Sequence, residues 1–226
     1  MWNTEHGLKD AGDTSPAETR PYVVNINDRS GGYLDVTFQV DLPLPYRGVY
    51  LSKHQSSPSA FAPKGLHLYS SPLRGVPGWM ASIRGELMDV STGRPASWAL
   101  LRVTAEAGET YYGIADKEGR YCIMFGYPVL IEGFGGSPSS LGNRPLNRQS
   151  WELTMELFYS PGTRVSLPGG KAPDYLSILR QQTAFVWTQK PGSGVSPVAA
   201  LPLRLEFGKR IIVRTEGESN LLISQD

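Results

Sequence analysis

Three stretches of strict alternation constrain this chain more than anything else in it. Leu34, Val36, Phe38 and Val40 alternate with Asp35, Thr37 and Gln39. Trp151, Leu153, Met155 and Leu157 alternate with Glu152, Thr154 and Glu156, and Leu201, Leu203, Leu205 and Phe207 are interleaved with Pro202, Arg204 and Glu206. Successive side chains of an extended chain point to opposite faces, so a period of two buries one face and wets the other. A helix would scatter the same residues around its circumference. The spacing therefore predicts half-buried strands near the start, middle and end of the chain, and with them an all-β fold.

Composition agrees. Gly 25 and Pro 18 among 226 residues favour frequent turns and short strands over long helices. Hydrophobic residues at 40% suffice for a core, whether in one large domain or two small ones. A net charge of +1 provides no bulk attraction to nucleic acid or to an acidic membrane. No run approaches the roughly 18 apolar residues of a membrane-spanning helix, so no membrane insertion is expected. The first twenty residues are polar and lack the apolar centre of a signal peptide. The expectation is synthesis in the cytoplasm, with any location outside the cell reached as part of a particle. The single cysteine, Cys122, has no partner for an internal disulfide and reads as a buried thiol in an apolar strand.

The chain divides into five stretches. Residues 1–20 read as a flexible N-terminal arm with Trp2 as an anchor for a neighbouring subunit. Residues 21–79 form an N-terminal β segment. It opens with a hairpin, Tyr22 to Ile26 and Leu34 to Val40, around the turn chemistry of Asn27 to Gly32. Further short strands are expected at Gly48 to Leu51 and Leu66 to Tyr69. Residues 80–132 carry the best-defined core, 133–150 form a long loop, and 151–226 hold strands, one short helix and a terminal hairpin. The helix is expected after Pro173-Asp174, with a β-type run at Thr183 to Thr188 as the alternative reading of that region. The hairpin is expected from Arg210–Thr215, the turn Glu216 to Asn220, and Leu221–Ser224.

Within the core, Gly85, Asp89, Thr92, Gly93 and Pro95 stand in the order G-x-(apolar)-x-D-x-x-T-G-x-P. An apolar strand, Ala99 to Val103, follows. A second turn reads Ala115-Asp116-Lys117-Glu118-Gly119-Arg120-Tyr121. These landmarks resemble those of carboxypeptidase-regulatory-like domains over about residues 81–128, with Ala115 where the family usually has Thr. The resemblance implies a Greek-key, transthyretin-like β-sandwich, here with an additional β unit and at most one short helix. It also implies structural roles in turns for Asp89, Thr92, Gly93, Pro95, Asp116 and Gly119. Asp can accept hydrogen bonds from the amides of a turn it opens, and Gly adopts positive φ without steric cost. Function does not travel with such a module.

Chemistry-bearing motifs are sparse. His6, His54 and His67 form no metal-ligand spacing, no nucleophile elbow occurs, and Gly133-Phe134-Gly135-Gly136-Ser137 lacks the Lys-Ser/Thr of a phosphate loop. No catalytic, metal or cofactor residues are therefore expected. Trp98 and Trp151, at strand starts, read as core, whereas Tyr111 and Tyr112 read as a surface patch for contacts. The whole chain, with its arm, long loops and sandwich, resembles in style the accessory proteins of contractile phage-tail-like injection particles. The expected function is a non-catalytic structural component of a large assembly, such as a baseplate or cap protein, partnered by other protein subunits. A carbohydrate- or cell-surface-binding module is the alternative.

Overall fold

The computed structural model describes residues 20–42, 66–128 and 149–225. Trp2, the expected arm as far as residue 19, the strand expected at Gly48 to Leu51 and the loop from 133 to 148 lie outside the described residues.

The first hairpin forms as its alternation predicts. Strands β1 (Arg20–Ile26) and β2 (Val36–Leu42) run antiparallel, with Tyr22 opposite Val40, Val24 opposite Phe38 and Ile26 opposite Val36. β1 thus begins at the last residue assigned to the arm. Between the strands, the Asp28 carboxylate accepts hydrogen bonds from the backbone amides of Ser30, Gly32 and Tyr33 at 2.9, 2.7 and 2.9 Å. These bonds and the Ser30 hydroxyl hold the carboxyl below its usual range. Leu66 to Tyr69 does not form the expected strand. It runs beside the hairpin turn through an isolated bridge between Tyr33 and Ser70, flanked by Leu34 N–H to Tyr69 O and Ser71 N–H to Gly32 O.

The main body is one curled sheet that folds back on itself as a sandwich. Its strands are β3 (Met80–Asp89), β4 (Arg94–Pro95), β5 (Leu100–Ala105), β6 (Thr110–Ile114), β7 (Arg120–Gly126), β8 (Ser150–Phe158), β9 (Thr183–Trp187), β10 (Ala200–Glu206), β11 (Ile211–Val213) and β12 (Leu221–Ser224). One layer centres on β3, which pairs with β7 along one edge and with β11 and β12 along the other. The other centres on β8, with β5 on one edge and β10 and β9 on the other; β6 extends it beyond β5. Antiparallel pairing of β9 with β12 joins the layers.

The alternation in β8 resolves as expected: Leu153, Met155 and Leu157 are buried while Glu152 and Thr154 face water. They share the main core with Ile83 and Leu87 of β3, Leu101 and Val103 of β5, Tyr121, Ile123 and Phe125 of β7, and Ile223 of β12. A second core lies on the far side of β5 and β6. There Leu100, Ile114 and Phe158 meet Val36 and Phe38 of the hairpin and Tyr175, Ile178 and Leu179 of the helix. The additional β unit is therefore β1–β2, laid over one face of the sandwich.

Both readings of the 173–188 region are realised, one after the other. Helix α1 (Tyr175–Leu179) starts at Asp174, whose carboxylate accepts from Ser177 N–H at 3.0 Å. Pro173 precedes this cap, and β9 follows the helix directly. A cap of this kind satisfies a helix-start amide that has no partner within the helix.

The terminal hairpin is corrected. β11 and β12 do not pair with each other; both run parallel to β3, in line along one edge, with Val213 beside Gly85 and Leu221 beside Leu87. Residues 216–220 make an outward excursion rather than a reversal. Thr215 holds its neck, with Thr215 N–H to Asn220 O at 3.0 Å, Thr215 Oγ1 to Trp187 O at 2.6 Å and Leu222 N–H to Thr215 Oγ1 at 2.9 Å. Glu216 to Asn220 do form turns and bends, as their composition predicts, without reversing the chain. The direction afterwards is decided by Val213, Leu221 and Ile223, which are all buried in the same core and all supported by β3. Among the described residues no helix is long and apolar enough to cross a membrane.

Candidate interaction surface

The polar residues singled out in the sequence hold two turns at one end of β3. Asp89 Oδ1 accepts from Ser91 N–H at 2.9 Å, and Oδ2 accepts from the Thr92 hydroxyl at 2.9 Å. Gly93 takes φ +64 and donates its N–H to Asp89 O, which returns the chain through Arg94 and Pro95 to pair with the end of β3. Asp116 repeats the device. Its Oδ1 accepts from Glu118 N–H and Arg120 N–H at 2.9 and 2.8 Å, and its Oδ2 binds the Arg120 guanidinium at 2.8 Å. The hydrogen bond to Asp116 raises the Arg120 pKa further.

Gly119, at φ +77, lies so close to β3 that a Cβ would fall 2.5 Å from Leu87 O. Leu87 N–H donates to Gly119 O, and Leu87 O accepts from Ala96 N–H, so one residue of β3 ties both turns together. Each named polar group is thus committed to backbone amides or to its neighbour.

Tyr111 and Tyr112 do not make one surface patch. Neighbours in a strand face opposite ways. Tyr111 packs on the main core, its ring stacked on Phe125 with centroids 4.1 Å apart, while Tyr112 packs on the second core. Burial, with Glu109 close to its hydroxyl, pushes the Tyr111 pKa up to about 12. Trp98 and Trp151 are half-buried against the two cores, as expected for residues at strand starts. Trp98 is also the one non-glycine residue at positive φ, +58, among the described residues. Its carbonyl is held there by Gln181 Nε2 at 2.8 Å. It lines a narrow cleft with Val36, Tyr69 and Tyr175.

The three most exposed of the large apolar side chains among the described residues lie around β3, while Tyr22, Val23, Leu68, Val165 and Val195 are exposed to a lesser degree at other places. Buried Ala81, Ile83 and Leu87 mark its inner face, so Ser82, Arg84 and Glu86 belong to the outer one. The register sets Ile212, Arg84 and Cys122 in one row across β11, β3 and β7. Residues 71–79 run over this face, where the Arg84 guanidinium donates to Arg74 O and, at 2.7 Å, to Pro72 O. Cys122 is buried beneath, and burial raises its thiol pKa against the opposing charges of Arg84, Arg74 and Arg210.

Leu73 lies between the two carbonyls that Arg84 grips and is 80% exposed, while Ile212, beside Arg84, is 72% exposed. Trp79, on the turn that leads into β3, is 71% exposed. Sequence reasoning missed this grouping. The signal that could have found it is the apolar pair Ile211-Ile212 in a short strand: adjacent residues of a strand cannot both face one core.

Among the described residues no group of three His, Cys, Asp or Glu side chains could hold a metal ion. No family model matches this chain, and neither a curated protein nor a solved structure matches it.

Proposed function

We propose that this protein is a non-catalytic structural component of a large protein assembly, docking on neighbouring subunits through the outer side of its β3 layer. The observation that carries the reading is that the three most exposed large apolar side chains among the described residues, Leu73, Trp79 and Ile212, all lie around one strand. Single exposed apolar residues are ordinary, but several grouped around one element mark contact surfaces. Tryptophan in particular supplies much of the binding energy where it becomes buried between proteins. The use of Asp89, Thr92, Asp116 and Arg120 within turns supports the same reading, since it commits them to the scaffold.

The resemblance of residues 81–128 to carboxypeptidase-regulatory-like domains fits a module recruited as a spacer or docking unit. A contractile phage-tail-like injection particle, with this chain as a baseplate or cap accessory protein, is the assembly we propose. Particles are purified from the producing cells by sedimentation, and the chain is quantified in the particle fraction. A fixed copy number per particle that falls on Trp79→Ala and Leu73→Ser substitution is expected. A chain found wholly as monomer in that fractionation refutes the reading.

Trp79 is also what a sugar ring would stack on, and carbohydrate binding is the second reading. It predicts saturable quenching of Trp79 fluorescence by oligosaccharides in the isolated monomer.

A further inference from the structure

The end of the β3 layer offers a site more specific than an apolar patch. β11 pairs with β3 along one edge, and among the described residues no strand pairs with its other edge. A Cβ on Gly85 would lie 2.8 Å from Val213 O, so that carbonyl points toward β3. Alternation then turns the N–H and C=O of Ile212 to the open side. An unpaired edge is a template for another strand.

The side chains say what kind of strand. Alternation sets Arg210 and Arg214 on the same outer face as Ile212, one on each side of it, and both are exposed. Neither makes an ion pair among the described residues. Lys209, by contrast, is paired with Glu206. The charged groups facing this strip from β3 are Arg84, opposite Ile212, and Glu86, one step further along toward Arg214. Arg84 turns Nη1 and Nη2 to Pro72 O and Arg74 O, and Glu86 also faces Arg120 on β7. The strip is therefore cation, exposed aliphatic, cation, with one carboxylate near one end.

Short length and charge also discourage a sheet edge from joining a copy of itself. Arg210 and Arg214 do this here, because two such edges would bring like charges together. That discrimination does not extend to a strand of opposite charge.

We infer that the outer edge of β11, unpaired among the described residues, receives an extended acidic segment of a partner subunit as an added strand. The segment has the pattern acid-x-aliphatic-x-acid, its aliphatic side chain on Ile212 and its carboxylates on Arg210 and Arg214. The inference rests on the assembly reading above and specifies one contact within it.

The test uses the full, isotopically labelled chain and two blocked peptides, Glu-Thr-Val-Thr-Glu and Lys-Thr-Val-Thr-Lys. The acidic peptide should shift the backbone amide signals of Ile211 to Val213, and the shift should vanish at high salt. The basic peptide should leave them in place. In the Arg210→Glu/Arg214→Glu chain the acidic peptide should bind at least tenfold more weakly and the basic one should now bind. Ile212→Ser should weaken the acidic peptide without reversing the preference. Equal binding of both peptides by the wild type, or no shift in β11 at millimolar peptide, overturns the inference. Should the double charge reversal unfold the chain, the salt dependence and Ile212→Ser still decide it. A doubly reversed chain that enters the particle at the wild-type copy number also overturns this contact while leaving the assembly reading intact. A wild-type chain that binds the acidic peptide but joins no particle upholds the edge and refutes the assembly.

Discussion

Gly85 and Tyr121 lie opposite each other on β3 and β7, and their relationship makes a quantitative prediction. A Cβ on Gly85 would stand 2.7 Å from the Tyr121 hydroxyl oxygen, 3.0 Å from Tyr121 Cε1 and 2.8 Å from Val213 O. The Tyr121 hydroxyl is buried and has no hydrogen-bond partner among the described residues. Burial accordingly raises its pKa. Forcing one carbon into a packed core costs about 1–3 kcal/mol. Alanine in a strand gains back about 0.5–1 kcal/mol of chain entropy relative to glycine. Gly85→Ala should therefore destabilise by up to about 2.5 kcal/mol, a fall of up to about 10 °C in melting temperature for a chain of this size.

Tyr121→Phe removes a buried hydroxyl that bonds to nothing among the described residues. Leaving such a group unpaired costs about 1–3 kcal/mol, so its removal should be neutral or should stabilise by up to about 1 kcal/mol after the small void is counted. The double variant should recover about half of the Gly85→Ala loss. The phenol oxygen is then gone, but Val213 O, a backbone atom, still crowds the new methyl. Urea denaturation of the four proteins reads the cycle directly. A loss above about 1 kcal/mol for Tyr121→Phe would mean that the hydroxyl has a partner, such as a buried water. Strict additivity would mean that the two residues do not compete for space. Either result refutes the reasoning.

Two further outcomes follow from the turns and the tyrosine stack. Gly119→Ala combines positive φ with a 2.5 Å approach to Leu87 O. It should cost about 3 kcal/mol or more by chemical denaturation, well above an ordinary surface substitution. Tyr111 ionises near 12 in the folded chain against 10 when unperturbed. A raised acid pKa favours the neutral form, so its contribution is fully present below pH 10 and is lost as pH climbs through about 12. Ultraviolet titration at the phenolate band should show several late-ionising tyrosines, because burial also raises Tyr69, Tyr121, Tyr159 and Tyr175, and the component near pH 12 should disappear in Tyr111→Phe.

The strands were legible because their signal is local. Alternation in β2, β8 and β10 needs no knowledge of partners, and the Asp-Gly turns around Asp89 and Asp116 act within a few residues. What was not legible is long-range. Nothing near Leu221 states that its neighbour is Leu87, and turn residues at Glu216 to Asn220 report a loop without reporting the direction in which the chain leaves it. The run Tyr175 to Trp187 was ambiguous because short apolar runs suit a helix or a buried strand equally. Trp79 follows Pro77-Gly78, where periodicity stops, so its exposure left no pattern to read. Tyr111 and Tyr112 show the opposite failure: an aromatic pair looks like a platform until the strand sends its members to different cores.

The parallel arrangement of β11 and β12 along β3 also has a temporal side. Ribosomes deliver β3, β5, β6 and β7 long before either of the strands that cover the second edge of β3. Until Ile211–Val213 and Leu221–Ser224 emerge, Ile83 and Leu87 have strand neighbours on one side alone, and the best-marked stretch of this chain is an unfinished object. Closing so long a loop is slow, and an uncovered central strand is vulnerable while it waits. The stretch from Ala81 to Pro128 is thus not a unit that completes itself, and strands far downstream of it are the ones that seal it.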